Sequence, residues 1–216
     1  MKPFGSNVTS SRGQADFVNV ASDAFDSGQT VPQMLIAACE RNAALPAASN
    51  LGCSLSYADV NRLSADFSAY LRNGLSLKPG ERVAIMLPNL LQYPVAVLGV
   101  LRADLIAVLV NPMYTARELH HQLEDSGAAV LVVLDNFGAV AAEALKGTDV
   151  RQVITTRVGD MLSWPKSLIV DFTLKHVKKM IPAFVIPGAV RWPSTLARGA
   201  GLPRVVAKAI ASDTAQ

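Results

Sequence analysis

The stretch at residues 81–118 is the most apolar part of this chain, and it limits most strongly how the chain can fold. Within it, the nineteen positions of residues 83–101 carry no charged side chain, which is close to the roughly twenty residues that a transmembrane helix needs. Four residues interrupt the run near its middle: Pro88, Asn89, Gln92 and Pro94. We therefore reject a membrane span and predict a strand, a turn, a helix and a second strand.

This strand, helix and strand would form a βαβ unit, the building block of a parallel sheet. The predicted strands lie at residues 82–87 and 105–110, with a helix at 90–102 between them. The alternation continues with strands at 128–134 and 150–155 and a helix at 137–146. Since buried parallel strands are continuously apolar, as these are, we predict an α/β fold: a doubly wound, mostly parallel sheet with flanking helices.

Three capping boxes mark the expected starts of further helices. In each, a Ser or Thr is followed three residues later by Gln, Asp or Glu, so that both side chains can bond backbone N–H groups of the first turn. The pairs are Thr30 with Gln33, Ser56 with Asp59, and Thr115 with Glu118. We also expect a short strand at residues 50–55, a cap at Asn89, and helix ends at Gly74 and Gly127.

Composition divides the chain into three regions. Residues 1–29 are polar and aperiodic, without the apolar segment of a signal peptide, and are expected to form an N-terminal arm. Residues 30–160 hold the α/β subdomain, and residues 161–216 are expected to form a basic amphipathic helix followed, beyond Pro187, by an irregular connection. Cys39 and Cys53 lack C-x-x-C spacing, which favours reduced thiols in a cytoplasmic protein.

The net charge of +3 conceals an asymmetry between the two ends of the chain. Residues 1–160 hold twelve Lys and Arg against fifteen Asp and Glu, a net of −3, whereas residues 161–216 hold eight against two, a net of +6. A basic end favours an anionic neighbour, but no aromatic residues interleave with the cations as in a nucleic-acid-binding module. The amphipathic segment is either a solvated surface helix or a peripheral contact with an anionic membrane surface, through Lys166, Lys175, Lys178 and Lys179.

Few residues in the sequence have the types and spacing of a reactive site. Asn111 and Asp135 follow predicted strands and could line a pocket, although such residues often bond their own backbone in turns. His120 and Glu124 could share a metal ion, but no further ligands accompany them. The Gly199–Gly201 pair resembles a phosphate loop only weakly, and Walker A, G-x-S-x-G and H-E-x-x-H motifs are absent. We assign no catalytic, cofactor-binding or metal-binding residue.

Three segments resemble a known family. They are LSYADVNRLSADFSAYL at residues 55–71, LKPGERVAIMLPNLLQYPVAVLGVLRA at 77–103 and VNPMYTARELHHQLEDSGAAVLV at 110–132. Together with the basic segment at 170–182 they are similar to the N-terminal part of bacterial long-chain fatty acyl-CoA ligases, in the adenylate-forming, AMP-binding superfamily. The resemblance covers roughly residues 30–200 and implies that the α/β subdomain is an incomplete N-terminal part of the adenylate-forming fold.

The resemblance also implies a chemistry and its cofactors. Enzymes of this family use ATP and Mg²⁺ to adenylate a long-chain fatty acid and then transfer the acyl group to coenzyme A. Their phosphate loop, a Tyr-Thr-Ser/Gly-Gly-Thr-Thr-Gly string, is expected just beyond Gln216, so the chain alone is expected to be inactive. An alternative is a non-catalytic acyl-binding or interaction module. The protein partner would be a second copy or a complementing C-terminal fragment.

Two positions depart from the family pattern. Asp104 stands where the family has Gly, at a position that closes a helix with a left-handed residue, a conformation that Asp tolerates at some cost. Leu109 stands where related sequences often have Asn. Together with the missing loop, these departures suggest a truncated or split gene product. Separately, we expect the protein to be cytoplasmic, with any membrane contact peripheral and on the inner face.

Overall fold

The computed structural model describes residues 30–177 and 181–205, so the N-terminal arm expected at 1–29 lies outside them. The helices are α1 (Val31–Arg41), α2 (Tyr57–Ala69), α3 (Gln92–Arg102), α4 (Ala116–Ser126), α5 (Gly138–Ala144), α6 (Lys166–Phe172) and α7 (Trp192–Ala200). The strands are β1 (Pro46–Asn50), β2 (Cys53–Ser56), β3 (Arg82–Met86), β4 (Ile106–Leu109), β5 (Ala128–Leu134), β6 (Gln152–Thr156) and β7 (Val190–Arg191).

Five of these strands form one sheet in the order β4-β3-β5-β6-β7, and all four pairings are parallel. The chain passes from β3 outward to β4, then crosses back over β3 so that β5 and the later strands lie on its other side. This reversal confirms the predicted doubly wound parallel sheet. It also places a switch point between β3 and β5, and ligands of such sheets bind at the carboxyl ends of the strands near the switch point.

Both faces of the central strands β3, β5 and β6 are buried, because their apolar side chains alternate between two cores. In β3, Val83 and Ile85 face the core shared with α2, α3 and α7, while Ala84 and Met86 face the core shared with α4 and α5. Phe67 and Trp192 lie fully buried in the first core, with ring centroids 4.7 Å apart. The continuous apolar strands of the sequence therefore reflect burial from two sides.

The local signals are confirmed at the starts of three helices and at the end of α4. Ser56 and Thr115 precede α2 and α4 in extended conformation, with both reciprocal bonds present. At Thr30, which precedes α1, only the Gln33 side chain bonds, accepting from the Thr30 N–H at 2.9 Å, and the Thr30 hydroxyl has no hydrogen-bond partner among the described residues. Gly127 ends α4 at φ +57°. Asp104 follows α3 at φ +55°, which agrees with a left-handed residue where the family has Gly.

Three local expectations are wrong. Residues 50–55 do not form one strand, because Leu51 and Gly52 both take positive φ, +47° and +70°, and turn β1 back onto β2 as an antiparallel hairpin. Asn89 does not cap α3, which begins at Gln92 without a side-chain cap. Gly74 closes a π-helical turn, Tyr70–Gly74, and the positive φ that follows belongs to Ser76.

The region beyond residue 160 also differs from expectation. Instead of an irregular connection, Val190–Arg191 pairs with β6 as the last strand of the sheet, and α7 packs against α2. As far as Val177, where the described residues break off, the basic segment forms α6 and a π-helical turn, Thr173–Val177. Lys178 and Lys179 lie outside the described residues, as does the side chain of Lys175.

No helix among the described residues is long and apolar enough to cross a membrane. The stretch at residues 81–118 instead forms β3, α3, β4 and the start of α4, as the prolines and amides within it predict. Both cysteines are free thiols, Cys39 buried and Cys53 partly exposed.

Candidate functional site

Polar side chains gather where the last three strands of the sheet end. Thr155 of β6 is the register partner of Arg191 in β7, and Leu134 of β5 is the partner of Thr156. The register therefore brings Asp135, which follows β5, alongside Arg157, which follows β6. We call this group the carboxyl-end cluster, and its members are Asp135, Thr155, Thr156, Arg157, Asp160 and Arg191.

Arg191 and Asp135 form the central contact of the carboxyl-end cluster. Arg191 Nη1 donates to both carboxylate oxygens of Asp135, each at 2.8 Å, and to Thr155 Oγ1 at 3.1 Å. Arg157 Nε adds a third bond to Asp135 Oδ2, at 3.3 Å. The Asp135 side chain is only 6% exposed, and these two guanidinium groups compensate the burial of its carboxylate.

Asp160 is the second acid of the cluster, in a 3₁₀ turn at Val158–Met161. Its Oδ2 accepts from Thr156 Oγ1 at 3.0 Å, from the Arg157 N–H at 2.8 Å and from Arg191 Nη2 at 3.2 Å. Gln92, at the start of α3, donates through Nε2 to Thr156 Oγ1 and to the Arg157 carbonyl. The cluster thus ties three strand ends to the helix after β3.

The carboxyl-end cluster is compensated in charge, with two carboxylates and two guanidinium groups. Arg191 bonds both carboxylates, whereas Arg157 bonds Asp135 only through Nε and is 47% exposed; the cluster as a whole carries little net charge. Beside it lies a cavity of about 640 Å³, between Asp135, Arg157 and Arg191 on one side and residues 181–186 on the other. The cluster is thus suited to fixing the wall of a ligand site, and the Thr156 hydroxyl that bonds the Asp160 carboxylate is fully buried rather than open to a substrate.

A third carboxylate, that of Asp171 in α6, lies near the cluster and bonds the same 3₁₀ turn. Asp171 Oδ1 accepts from the Gly159 N–H at 2.9 Å. Burial raises the pKa of the Asp171 carboxyl above its ordinary value; the Gly159 hydrogen bond opposes this shift and the Asp160 carboxylate adds to it. Asp171 therefore fastens α6 to the turn that holds Asp160.

Of the two strand-end residues singled out from the sequence, Asp135 belongs to the cluster and Asn111 does not. Asn111 Oδ1 accepts from the Met113 N–H at 3.0 Å, which is the backbone turn that such residues commonly make. Asn111 also lines a separate cavity of about 500 Å³ at the ends of β3 and β4. The structure therefore does not bring these two candidates together.

His120 has a structural partner on each ring nitrogen. Its Nδ1 lies 2.8 Å from the Ala144 carbonyl oxygen at the end of α5, and its Nε2 lies 3.2 Å from Glu124 Oε2. No three metal-ligating side chains of the types His, Cys, Asp or Glu cluster among residues 30–177 and 181–205. In this arrangement His120 joins α4 to α5.

The Gly199–Gly201 pair lies at the end of α7, so it follows a helix rather than a strand. A Cβ at Gly199 would stand 1.8 Å from the backbone oxygen of Asp66 in α2. Gly199 is needed because α7 and α2 approach closely at this point. The close helix contact explains the glycine, and no phosphate loop is needed to explain it.

Sequence reasoning missed most of the carboxyl-end cluster. Arg191 went unnoticed because β7 is two residues long and lies in a segment rich in Pro and Gly. Arg157 directly follows a predicted strand, so the rule that singled out Asp135 could also have found it.

The sequence of residues 35–200 matches the family model described as AMP-binding enzyme. The chain belongs to the AMP-binding enzyme family. The resemblance noted from the sequence motifs is thereby confirmed over nearly the same residues.

Within the AMP-binding family, the chain is similar to long-chain-fatty-acid–CoA ligases. It is 43% identical to the one from Salmonella typhimurium over 190 residues, which is 88% of this chain and 34% of the relative. It is 48% identical to the one from Haemophilus influenzae over 154 residues, 71% of this chain and 27% of the relative. The chain thus spans about a third of the length of these relatives.

Solved structures of AMP-binding enzymes share the fold. A benzoate CoA ligase from Burkholderia xenovorans superposes with a TM-score of 0.64 at 20% identity, covering 84% of this chain and 30% of that one. An adenylation and carrier didomain of carboxylic acid reductase from Segniliparus rugosus gives 0.66 at 18% identity, covering 88% and 29%. At such identities the comparison supports the architecture alone.

The family implies ATP and Mg²⁺, so we tested whether the described residues fit either. A Mg²⁺ site needs carboxylate oxygens free to coordinate it, yet the carboxylates of Asp135 and Asp160 are bonded by arginines. Phosphates need unpaired cations or a Gly-rich loop; Arg191 bonds both carboxylates, and Arg157 bonds Asp135 through Nε alone with its side chain 47% exposed. The carboxyl-end cluster therefore does not fit Mg²⁺ and offers phosphate no loop, and we assign no step to either group.

Proposed function

We propose that the chain is the N-terminal portion of a long-chain fatty acid–CoA ligase. The observation that carries this proposal is the 43% identity to the Salmonella ligase across 88% of the chain. The identity includes no short catalytic motif, so it reflects similarity of a whole structural unit. The P-N-L-x-Q-Y-P segment at residues 88–94 resembles these ligases and also supports the proposal. Its Gln92 bonds the Arg157 carbonyl at the end of β6.

The proposed reaction of the complete enzyme has two steps. The fatty acid carboxylate attacks the α-phosphorus of ATP, which forms an acyl-adenylate and releases pyrophosphate. The thiol of coenzyme A then attacks the acyl carbon, which forms the thioester and releases AMP. In this scheme the present chain supplies one side of the α/β sheet, and the carboxyl-end cluster holds the strand ends that border the site.

By itself the chain is proposed to be inactive. The 216 residues contain no Tyr-Thr-Ser/Gly-Gly-Thr-Thr-Gly string, and the chain corresponds to about a third of its relatives. The charge-compensated cluster offers no substitute phosphate site. Substrate phosphates would therefore be held by residues of another segment.

The test is pyrophosphate release by the purified chain with ATP, Mg²⁺ and a long-chain fatty acid. The full-length Salmonella ligase serves as the positive control. No release above the rate without enzyme is expected, and fatty-acid-dependent release by the chain alone would refute the proposed inactivity.

A second candidate is a non-catalytic module that pairs with a separate C-terminal fragment. It is favoured by the apolar edge of the sheet, where Ile106 and Leu109 of β4 and the nearby Met113 are 48%, 53% and 81% exposed. An uncovered apolar edge strand is a template for another polypeptide. Co-purification of the chain with the remaining two thirds of the Salmonella ligase would support this candidate, and failure of the two folded pieces to associate would refute it.

A further inference from the structure

Most of the hydrogen-bond donors of the Arg157 guanidinium are uncommitted. Its Nε bonds Asp135 Oδ2 at 3.3 Å, and its side chain is 47% exposed. The remaining donors of a guanidinium are on Nη1 and Nη2, and within residues 30–177 and 181–205 these atoms of Arg157 make no hydrogen bond. Arg191 differs, because its Nη atoms bond both Asp135 and Asp160. One acid therefore holds Arg157 in place while the outer edge of its guanidinium is available.

Arg157 lines the cavity of about 640 Å³ between the carboxyl-end cluster and residues 181–186. Ligand pockets commonly have volumes of about 300–1,000 Å³, and ligands of parallel sheets bind at the carboxyl ends of the strands. The wall opposite the cluster is apolar, and we define it as Ile181, Pro182, Phe184, Val185 and Ile186. The cavity thus combines one available cation with an apolar wall.

The apolar wall is fixed to the rest of the fold at two points. Phe184 covers Gly138 at the start of α5 so closely that a Cβ added to Gly138 would overlap the Phe184 ring. Ile186 packs against the core shared with α4 and α5. Val185 lies between these two residues and is 82% exposed. Its side chain is therefore available to a ligand while its neighbours hold the wall in position.

The charges around the cavity favour a ligand with one negative charge. Asp135 and Asp160 balance Arg157 and Arg191, and the nearby Asp171 carboxylate bonds the backbone of the 3₁₀ turn. A polyanion would meet these three acids with only one available guanidinium to attract it. A single carboxylate matches the planar N–H fork of arginine, and an alkyl chain attached to it would cover the apolar wall.

We propose that this cavity binds an alkyl carboxylate, with the carboxylate on the Nη atoms of Arg157 and the chain against the apolar wall. The chain alone is expected to bind this ligand, without ATP, Mg²⁺ or coenzyme A. The proposal therefore does not rest on the ligase reaction. A measurement of binding can succeed or fail whether or not pyrophosphate is released.

The test is isothermal titration of the full 216-residue chain with decanoate, octanoate and 1-decanol. Decanoate should bind at one site per chain. Octanoate should bind roughly tenfold more weakly, because its chain is shorter by two methylene groups and covers less of the wall. The uncharged 1-decanol should also bind roughly tenfold more weakly, because it lacks the charged partner of Arg157. Inorganic phosphate, which has no alkyl chain, should not displace decanoate.

Two variants separate the role of the charge from that of the wall. Arg157→Gln should bind decanoate roughly tenfold more weakly and 1-decanol as the parent does. Val185→Asp places a carboxylate on an exposed part of the wall and should weaken decanoate binding roughly fivefold by repulsion. The matched controls Arg62→Gln and Val31→Asp make the same changes at exposed residues of α2 and α1 and should bind decanoate as the parent does. Far-ultraviolet circular dichroism checks that each variant is folded.

Four results would overturn the proposal. The first is no binding of decanoate. The second is an equal loss for decanoate and 1-decanol in Arg157→Gln, because the arginine would then act only through the structure. The third is a loss of decanoate binding in the matched controls as large as in Arg157→Gln and Val185→Asp. The fourth is displacement of decanoate by inorganic phosphate, which would indicate a general anion site.

Discussion

Gly199 of α7 meets the backbone of Asp66 in α2 so closely that an added Cβ would stand 1.8 Å from the Asp66 oxygen. A second glycine contact joins α2 to α3, where a Cβ added at Gly99 would lie 2.8 Å from the Phe67 ring. Helix α2 thus packs closely against both α7 and α3 through glycines. These contacts bring α7 close enough for Trp192 to reach Phe67 in the core.

Replacing Gly199 by alanine is expected to destabilise the protein by about 3 kcal/mol, because backbone atoms of α2 must move to admit the methyl group. The measurement is the midpoint of denaturant unfolding. The matched control is Gly201→Ala, two residues away, whose added Cβ would lie 3.6 Å from its nearest neighbour, the Arg198 oxygen. This control should change stability by no more than about 0.5 kcal/mol; equal losses in both variants would contradict the close contact.

Replacing Arg191 by methionine is expected to cost about 2 kcal/mol of unfolding free energy. The nearly buried Asp135 carboxylate then keeps its bond to Arg157 but loses its two shortest bonds, both to Arg191. The cost of removing this carboxylate from water is then no longer offset by the Arg191 bonds. Adding Asp135→Asn should recover part of the loss in a double-mutant cycle. Arg151→Met, at an exposed pair with Glu81, should cost no more than about 1 kcal/mol. Additive effects of R191M and D135N would contradict the coupling.

The capping box of α2 predicts a pH-dependent contribution to stability. The bonds that Asp59 accepts from the Ser56 hydroxyl and backbone N–H, with Arg62 nearby, lower the pKa of the Asp59 carboxyl below its ordinary value. A lowered pKa in the folded state adds stability above the unfolded value and loses it as pH falls through the folded value. Asp59→Asn should therefore be less stable near neutral pH, by less than about 1 kcal/mol because the group is solvent-screened.

The control is the stability of the parent and of D59N measured in strong acid. Once Asp59 is protonated in the parent, the parent and D59N should unfold at the same denaturant concentration. If the two proteins differ in unfolding midpoint by the same amount at neutral and strongly acidic pH, the charge of Asp59 contributes nothing to stability.

The sequence allows the parts of the fold with local causes to be predicted. Strand β5 is predicted with its observed bounds, Ala128–Leu134, because its burial on two faces makes it uninterrupted and Gly127 separates it from α4. The start of α2 follows from the Ser56 and Asp59 pair for the same kind of reason. These signals lie within a few residues of the structure they determine.

The features that were missed depend on contacts between distant parts of the chain. Arg191 joins Asp135 across 56 positions, and only the sheet register brings the two together. Leu51 and Gly52 take left-handed conformations that allow a hairpin where one strand was expected, and Leu is an unusual residue for that position. The contact between the hairpin tip and the start of α6, where Lys166 Nζ donates to the Gly52 carbonyl, likewise spans 114 positions.

A chimeric ligase tests the central proposal most directly. In it, residues 30–200 of this chain replace the aligned segment of the Salmonella long-chain-fatty-acid–CoA ligase, and fatty-acid-dependent pyrophosphate release and acyl-CoA formation are measured. The account predicts that the chimera forms long-chain acyl-CoA within about a hundredfold of the parent rate, a loss of about 2.7 kcal/mol in the barrier. A chimera that is folded but forms no acyl-CoA would contradict it.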